Sequence, residues 1–400
     1  MFQEKSFFTT YYSDNIWLIL IFPITIICFL LLISIVKWAT FSQISKNTLC
    51  LFLFLFLFRL LFSFYASFNP FIPNFGDTEL FSDIISNNSF YEQQSLGVRL
   101  YYYFSYPLRI LSGFNLICFL IFQTSIYYIS MLVIWRAYLE SNLLNKINNK
   151  NKVFIIFSLL VTLYPAALMY ISVPLREYLL VFAMSFFLLG LTRFLYRNNL
   201  SILALSIFLF LMVRPHLIPA LIAIIYFSKY HKKLLSYIIA ILLPPLLLYI
   251  FSLLFYTITP TELSKIRNSW ASAHPTDVYG AFNWVTWLDI LISLPSLLIQ
   301  YILSPFPILH NRNPFSMLAG SLDAIFVIVI LLTSFSCYLI KKTKNKTPIQ
   351  FIVTVIIITT LSSIWEAYIG GAIRHRMTTI IPLIPISAYF LSIIQVRKRE

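Results

Sequence analysis

Apolar residues run along this chain in blocks of about twenty, from about residue 15 to residue 396, and no long polar region interrupts them. A helix crosses the hydrocarbon of a bilayer in about 20 residues. By that measure the blocks at 15–37, 48–68, 114–135, 153–172, 178–195, 235–256, 319–340, 349–367 and 378–396 are membrane spans. Between 200 and 228 two apolar halves meet at Arg214-Pro215-His216. An arginine at mid-bilayer costs about 3 kcal/mol or more, so the pattern predicts two short helices forming a hairpin, and about 11 transmembrane helices in all. The stretches at about 69–113 and 257–318 are too broken to span throughout and are predicted as outward loops with interfacial helices. Within them, 98–113 is aromatic and basic, and 285–303 carries Asp289 and Pro295, which favour an interfacial or re-entrant helix. The alternation of transmembrane strands is missing. The expected fold is therefore all-α, a polytopic integral membrane protein with one transmembrane domain over 1–400.

Composition agrees: of 400 residues, 60% are hydrophobic and 11% charged, against about 25% charged in soluble domains. The formal net charge of +15 could suggest nucleic acid, but the basic residues sit at span ends, where they set orientation. Lys37, Lys46, Arg136, Lys146, Lys150, Lys152, Arg193, Arg197, Lys229, Lys232, Lys233, the lysines at 341, 342, 344 and 346, and Arg397, Lys398 and Arg399 all fall on one side of the predicted topology, eighteen of the 29. Only Glu140 and Glu400 of the 14 acids join them, so that side is the cytoplasm and the loop at 69–98 faces out. The run from Ile16 to Val36 has no small-residue cleavage site and is predicted as the first span. Cys28, Cys50, Cys118 and Cys337 stand singly in apolar runs and read as small buried hydrophobes.

Candidate chemistry lies where charge breaks the apolar pattern. Between Asn69 and Val98 there are four acids, Asp77, Glu79, Asp83 and Glu92, and no lysine or arginine. Asp77 reads as the N-cap of a short helix and, equally, as a carboxylate able to take a proton from a hydroxyl; Glu79 is its alternative. Arg176-Glu177 follows a proline between two spans: a turn with a compensating ion pair, or an arginine that holds phosphate while Glu177 orients it. Arg214 and His216 at the predicted hairpin apex allow the same two readings, and a broken helix near membrane depth favours a cavity lining. Glu366 and Gly370-Gly371 precede Arg374-His375-Arg376, just before the last span. Two arginines and a histidine at a helix N-terminus would make a phosphate site, with lipid snorkelling as the plainer alternative. No HExxH or Cys/His cluster supports a metal; Asp77 with Glu79 alone would give an incomplete divalent site, so no cofactor is expected. His274 with Asp277 is the one sequence-local histidine–acid pairing that an acyltransferase could use.

These features resemble the GT-C class of membrane glycosyltransferases, which use polyprenyl-phosphate-linked sugars. The resemblance rests on Gly76-Asp77-Thr78-Glu79, on Pro174-Leu175-Arg176-Glu177, on Ser304-Pro305-Phe306-Pro307, and on Arg374-His375-Arg376 leading into Pro382. It implies transfer of a sugar from a polyprenyl phosphate or pyrophosphate donor to a glycan or lipid-linked acceptor, with inversion, at the outer face of a bacterial inner membrane. Asp77 would be the base, and other polysaccharide-assembly proteins would be partners. Many members of that class carry the acidic loop after the first span, whereas here it follows the second. The outer-loop arginines Arg176, Arg214 and Arg374 also resemble those of O-antigen and capsule polymerases. A lipid-linked sugar flippase is the alternative of a different class, with Arg59 and Asp323 as its mid-span charges.

Overall fold

The computed structural model describes residues 16–68, 76–88, 96–141, 149–214, 217–230, 242–243, 245–250, 259–273, 279, 281–306, 314–340 and 349–397. Among them there is no β-strand, and six helices are long and apolar enough to cross a membrane. These are Ile19–Thr40, Lys46–Ala66, Leu116–Glu140, Glu177–Arg197, Met317–Cys337 and Ile369–Ile394. Ser201–Val213, Ala220–Lys229, Trp287–Leu303 and Gln350–Trp365 are shorter apolar helices. The chain is thus an all-helical membrane protein, and most of the span expected at 235–256 lies outside the described residues.

Two compact units divide the chain, Met1–Pro215 with Ile384–Glu400, and His216–Leu383. The first contains α1 (Ile16–Thr40), α2 (Lys46–Phe68), α3 (Gly76–Ser86), α4 (Leu96–Leu111), α5 (Leu116–Glu140), α6 (Lys150–Leu163), α7 (Pro165–Tyr170), α8 (Glu177–Arg197) and α9 (Ser201–Val213). Its core is α5, apolar and buried around almost its whole circumference, as a helix enclosed by other helices must be. By contrast, α1 and α2 each bury one stripe and expose Ile19, Phe22, Leu30, Phe54 and Leu61, apolar side chains that only lipid would accept.

Side-chain pairs fix the directions. Phe119 meets Tyr178 near the start of α5 and α8, and Glu140 meets Arg193 near their ends, so these two helices run parallel. Between them α6 returns antiparallel to α5, with Trp135 against Phe154 and Tyr128 against Thr162. The last turn of α8 ends on Asn198 in the left-handed conformation, and α9 doubles back along it, with Phe187 on Phe210. Gly190 permits that approach, because a methyl there would overlap the backbone of Leu203.

The block at 153–172, expected as one span, is two helices broken at Tyr164-Pro165. Pro165 has no N–H to offer the Val161 carbonyl. The Tyr127 hydroxyl donates to that carbonyl instead, at 3.1 Å. The guanidinium of Arg59, fully buried on α2, donates to the carbonyls of Thr162 and Ala167. A charge within a span thus serves the Thr162 carbonyl beside the break and adds a second donor to Ala167 O, which already accepts from the Ile171 N–H.

The second unit contains α10 (Ile218–Tyr230), α11 (Pro260–Ala273), α12 (Trp287–Leu303), α13 (Pro314–Ile340), α14 (Ile349–Trp365) and α15 (Ile369–Ile380), then a 3-10 turn at Ile381–Leu383; α16 (Ile384–Arg397) belongs to the first unit. Helices α10, α12 and α15 pack on α14. The last carbonyls of α14 are closed by Arg267 of α11, which donates to Ser363 O at 3.2 Å and Glu366 O at 2.6 Å and lies against the rings of Phe282 and Trp284. Burial pushes this guanidinium down to about 10, with Glu366 opposing the shift. Behind α12 and α14 lies a cavity of ≈ 180 Å³ walled by Leu298, Ile302, Val327, Leu331, Val355 and Ile380.

Candidate functional site

In the first unit, the Arg176-Glu177 turn and Arg214, 38 positions apart in sequence, come together. Glu177 opens α8 and Arg214 closes α9, and because these helices are antiparallel their termini meet: Arg214 Nη2 lies 3.9 Å from Glu177 Oε1. Both are buried, and Arg176 is half-buried. The turn itself is pinned by Gln123 of α5, whose amide donates to Ile171 O at 2.8 Å and Val173 O at 2.7 Å.

A phenol completes the cluster. Tyr101 of α4 is buried, and burial lifts it well above its ordinary range; the charges of Arg109 and Arg176 oppose the rise and Glu177 adds to it. Tyr101 also packs edge-on against Phe81 of α3 at 4.8 Å, which seats the acidic helix beside this cluster. Arg109 ties α3 to α4: it donates to Ile84 O at 2.8 Å, Asn88 Oδ1 at 2.6 Å and Tyr102 O at 2.6 Å while lying over the Tyr102 ring.

On α3, Thr78, Phe81, Ser82 and Ile85 are buried and Glu79 is exposed. Asp77 stands in the first turn, one residue inside the helix and so past the capping position expected for it; its side chain lies outside the described residues. His216, His274 and Asp277 also lie outside them. Glu79 is exposed and has none of the partial burial that would tune a carboxylate for proton transfer.

The second unit holds the other predicted cluster, and here the local reading changes. Arg374-His375-Arg376 is not at a helix N-terminus: α15 begins at Ile369, so the triplet sits in its second turn, and Gly370-Gly371 are helical. These glycines are needed for space. A methyl on Gly371 would land on the Glu366 carboxylate, and one on Gly370 on the Tyr368 ring. The Glu366 carboxylate binds His375 Nδ1 at 2.5 Å. Arg376 turns the other way, buried, and is bonded to Asp323 of α13 and to the carbonyls of Ile302 and Tyr301. Arg374 is half-buried.

Sequence reasoning missed the Glu366–His375 and Asp323–Arg376 pairs. The first was legible only as a counter-charge near two arginines; the second joins residues 53 apart on different helices. Tyr178, next to Glu177, was the nearest available signal for the phenols. No group of three or more His, Cys, Asp or Glu able to hold a metal occurs among the described residues.

No protein-family model, no curated protein and no solved structure matches this chain.

Proposed function

We propose that the chain is a membrane glycosyltransferase that moves a sugar from a polyprenyl phosphate or pyrophosphate donor to a glycan or lipid-linked acceptor, with inversion, at the outer face of a bacterial inner membrane. The observation that carries this reading is the meeting of Arg176, Glu177 and Arg214 beside the acidic helix α3. It supplies two of the needs of such a transfer in one unit: guanidinium groups for an anionic leaving group and carboxylates for the incoming hydroxyl.

In this reading Asp77 removes the proton from the acceptor hydroxyl as it attacks the anomeric carbon. The bond to the polyprenyl phosphate oxygen breaks, and its electron pair stays on the phosphate. Arg176, half-buried, binds that phosphate, while Arg214 is set by Glu177. Arg374, held near the His375–Glu366 pair on α15, is a further candidate headgroup ligand in the second unit. Arg376 is given no part, because its guanidinium is already occupied by Asp323 and two carbonyls. A transport path has less support. Its two mid-span charges, Arg59 and Asp323, are both fixed in buried hydrogen bonds that close backbone or an ion pair.

The test is Asp77→Asn in the full chain, assayed in membranes for transfer from the lipid-linked sugar pool to acceptor. Loss of general-base work should cut the rate by about 10²–10⁴-fold at unchanged expression. A folded variant with full activity removes Asp77 as the base. Arg176→Ala should weaken transfer without changing the amount of protein. A ladder of products in the wild type, rather than a single addition, would identify the polymerase form of the same chemistry.

A further inference from the structure

At the opposite end of the first unit from Glu177, three arginines converge on one buried carboxylate. Glu140, 1% exposed at its side chain, receives Arg136 Nε at 2.6 Å and Arg193 through Nε and Nη2 at 2.9 Å, and Arg197 Nη1 lies 3.7 Å away. Arg136 also donates to Trp38 O at 2.5 Å and lies over the ring of Phe41. The arginines form a gradient of exposure from Arg136 through Arg193 to Arg197, whose side chain is 57% exposed.

The charges do not balance. Three guanidinium groups against one carboxylate leave two positive charges. The C-terminal ends of α5 and α8, where all four residues sit, together contribute roughly one unit of negative charge through the helix dipoles. About one positive charge is left over, on the outward side where Arg193 and Arg197 still have N–H donors. The level of the cluster is marked by side chains as well. Trp38, Phe41 and Tyr196 are large, exposed aromatics at this same end, the kind of residue that collects where hydrocarbon meets headgroups.

From these two observations we propose a binding site for a monoanionic phosphodiester, the headgroup phosphate of an anionic membrane lipid, with Arg197 and the outer edge of Arg193 as its ligands. The Glu140 carboxylate holds the two inner guanidinium groups in place, and the lipid supplies the missing negative charge at the rim. Planar guanidinium groups suit this task because each can give two parallel hydrogen bonds to phosphate oxygens. The site is separate from the residues assigned to transfer and stands whether or not the transferase reading is correct.

The full chain, purified in a neutral detergent, should bind phosphatidylglycerol or cardiolipin in native mass spectrometry in preference to phosphatidylcholine. Arg197→Gln should weaken that binding about fivefold, the effect of removing one near-surface cation. Arg197→Glu should abolish the preference. Arg197→Gln leaves Arg136 and Arg193 to satisfy Glu140, and a melting temperature equal to the wild type's shows that a variant is folded. Lys37→Gln, which removes an equal charge from an exposed position on α1 outside the cluster, should leave binding unchanged. Equal losses in Lys37→Gln and Arg197→Gln would mean diffuse attraction and overturn the site. Displacement of the lipid by millimolar inorganic phosphate would show a site for free phosphate and overturn the lipid assignment.

Discussion

Arg376 and Arg374 are two residues apart on one helix, and their surroundings set them different tasks. Arg376 and Asp323 are both buried, and each is the other's charge compensation. Removing one member of such a pair strands the other in a low-dielectric site, at a cost of about 3–5 kcal/mol, whereas replacing both with apolar groups is often close to neutral. Arg376→Met should therefore lower the thermal stability of the detergent-solubilised protein sharply. Arg376→Met with Asp323→Leu should recover most of the loss. Equal melting of single and double variants would mean that the pair does not hold the second unit together. Arg374 is half-buried where Arg376 is buried, so a loss of transfer in Arg374→Ala with an unchanged melt would mark a ligand. The sequence could not separate these arginines. It shows three basic groups in a row but not which of them faces Asp323, because helical phase against a neighbour 53 residues away is a tertiary fact.

Elements were more legible than their ends. Long apolar blocks located α1, α2, α5, α8, α13 and α14 within a few residues, since hydrocarbon thickness and helical rise fix how long such a block must be. The breaks were harder. Hydropathy does not distinguish a proline that a membrane helix tolerates from one that ends it, so the apolar block at 153–172 runs through Pro165 and hides the boundary between α6 and α7. Likewise the last apolar block begins only at 378, because Arg374-His375-Arg376 interrupts the hydropathy, whereas α15 begins at Ile369. The short helix α12 offers a test at this scale. Its first turn has a reciprocal cap: Asp289 Oδ2 accepts from the N–H of Thr286 at 2.7 Å and of Val285 at 2.9 Å, and Thr286 Oγ1 accepts from Asp289 N. Those N–H groups, Thr286 first, hold the Asp289 carboxyl below its usual range. A depressed carboxyl stabilises the fold above its unfolded value, about 3.9, and that contribution is lost as pH falls through the lower folded value. Hydrogen-exchange protection of the first turn of α12 should therefore persist at about pH 5 and fall below about pH 3. Asp289→Asn should remove this pH dependence; a turn equally protected in both forms would dismiss the cap.

At the scale of the molecule, the two ends of the first unit differ in kind. One carries Glu140 with Arg136, Arg193 and Arg197, along with Lys152, whose ammonium reaches Ser392 O of α16. The other carries the buried Glu177–Arg214 pair and the acidic helix α3. Because α5 and α8 run parallel with α6 returning between them, every residue in this list is assigned an end by packing alone, independently of any charge rule. Lysine and arginine collect on the cytoplasmic side. Packing thus sorts the residues between two ends, and the charge rule names the sides: the Glu140 end is predicted to face the cytoplasm and α3 to face out. Single cysteines test this in intact cells. The background should be Cys50→Ser, since Cys50 is exposed while Cys28, Cys118 and Cys337 are buried. Glu79→Cys, on the exposed side of α3, should react with a membrane-impermeant maleimide. Asn198→Cys, exposed in the turn between α8 and α9, should react only after the cells are opened. The reverse pattern would turn the unit over. It would put the acidic helix and its arginines on the side where sugars are activated as nucleotides, not on the side to which lipid carriers deliver them. The proposed transfer at the outer face would then have no site, even if every contact described above were correct.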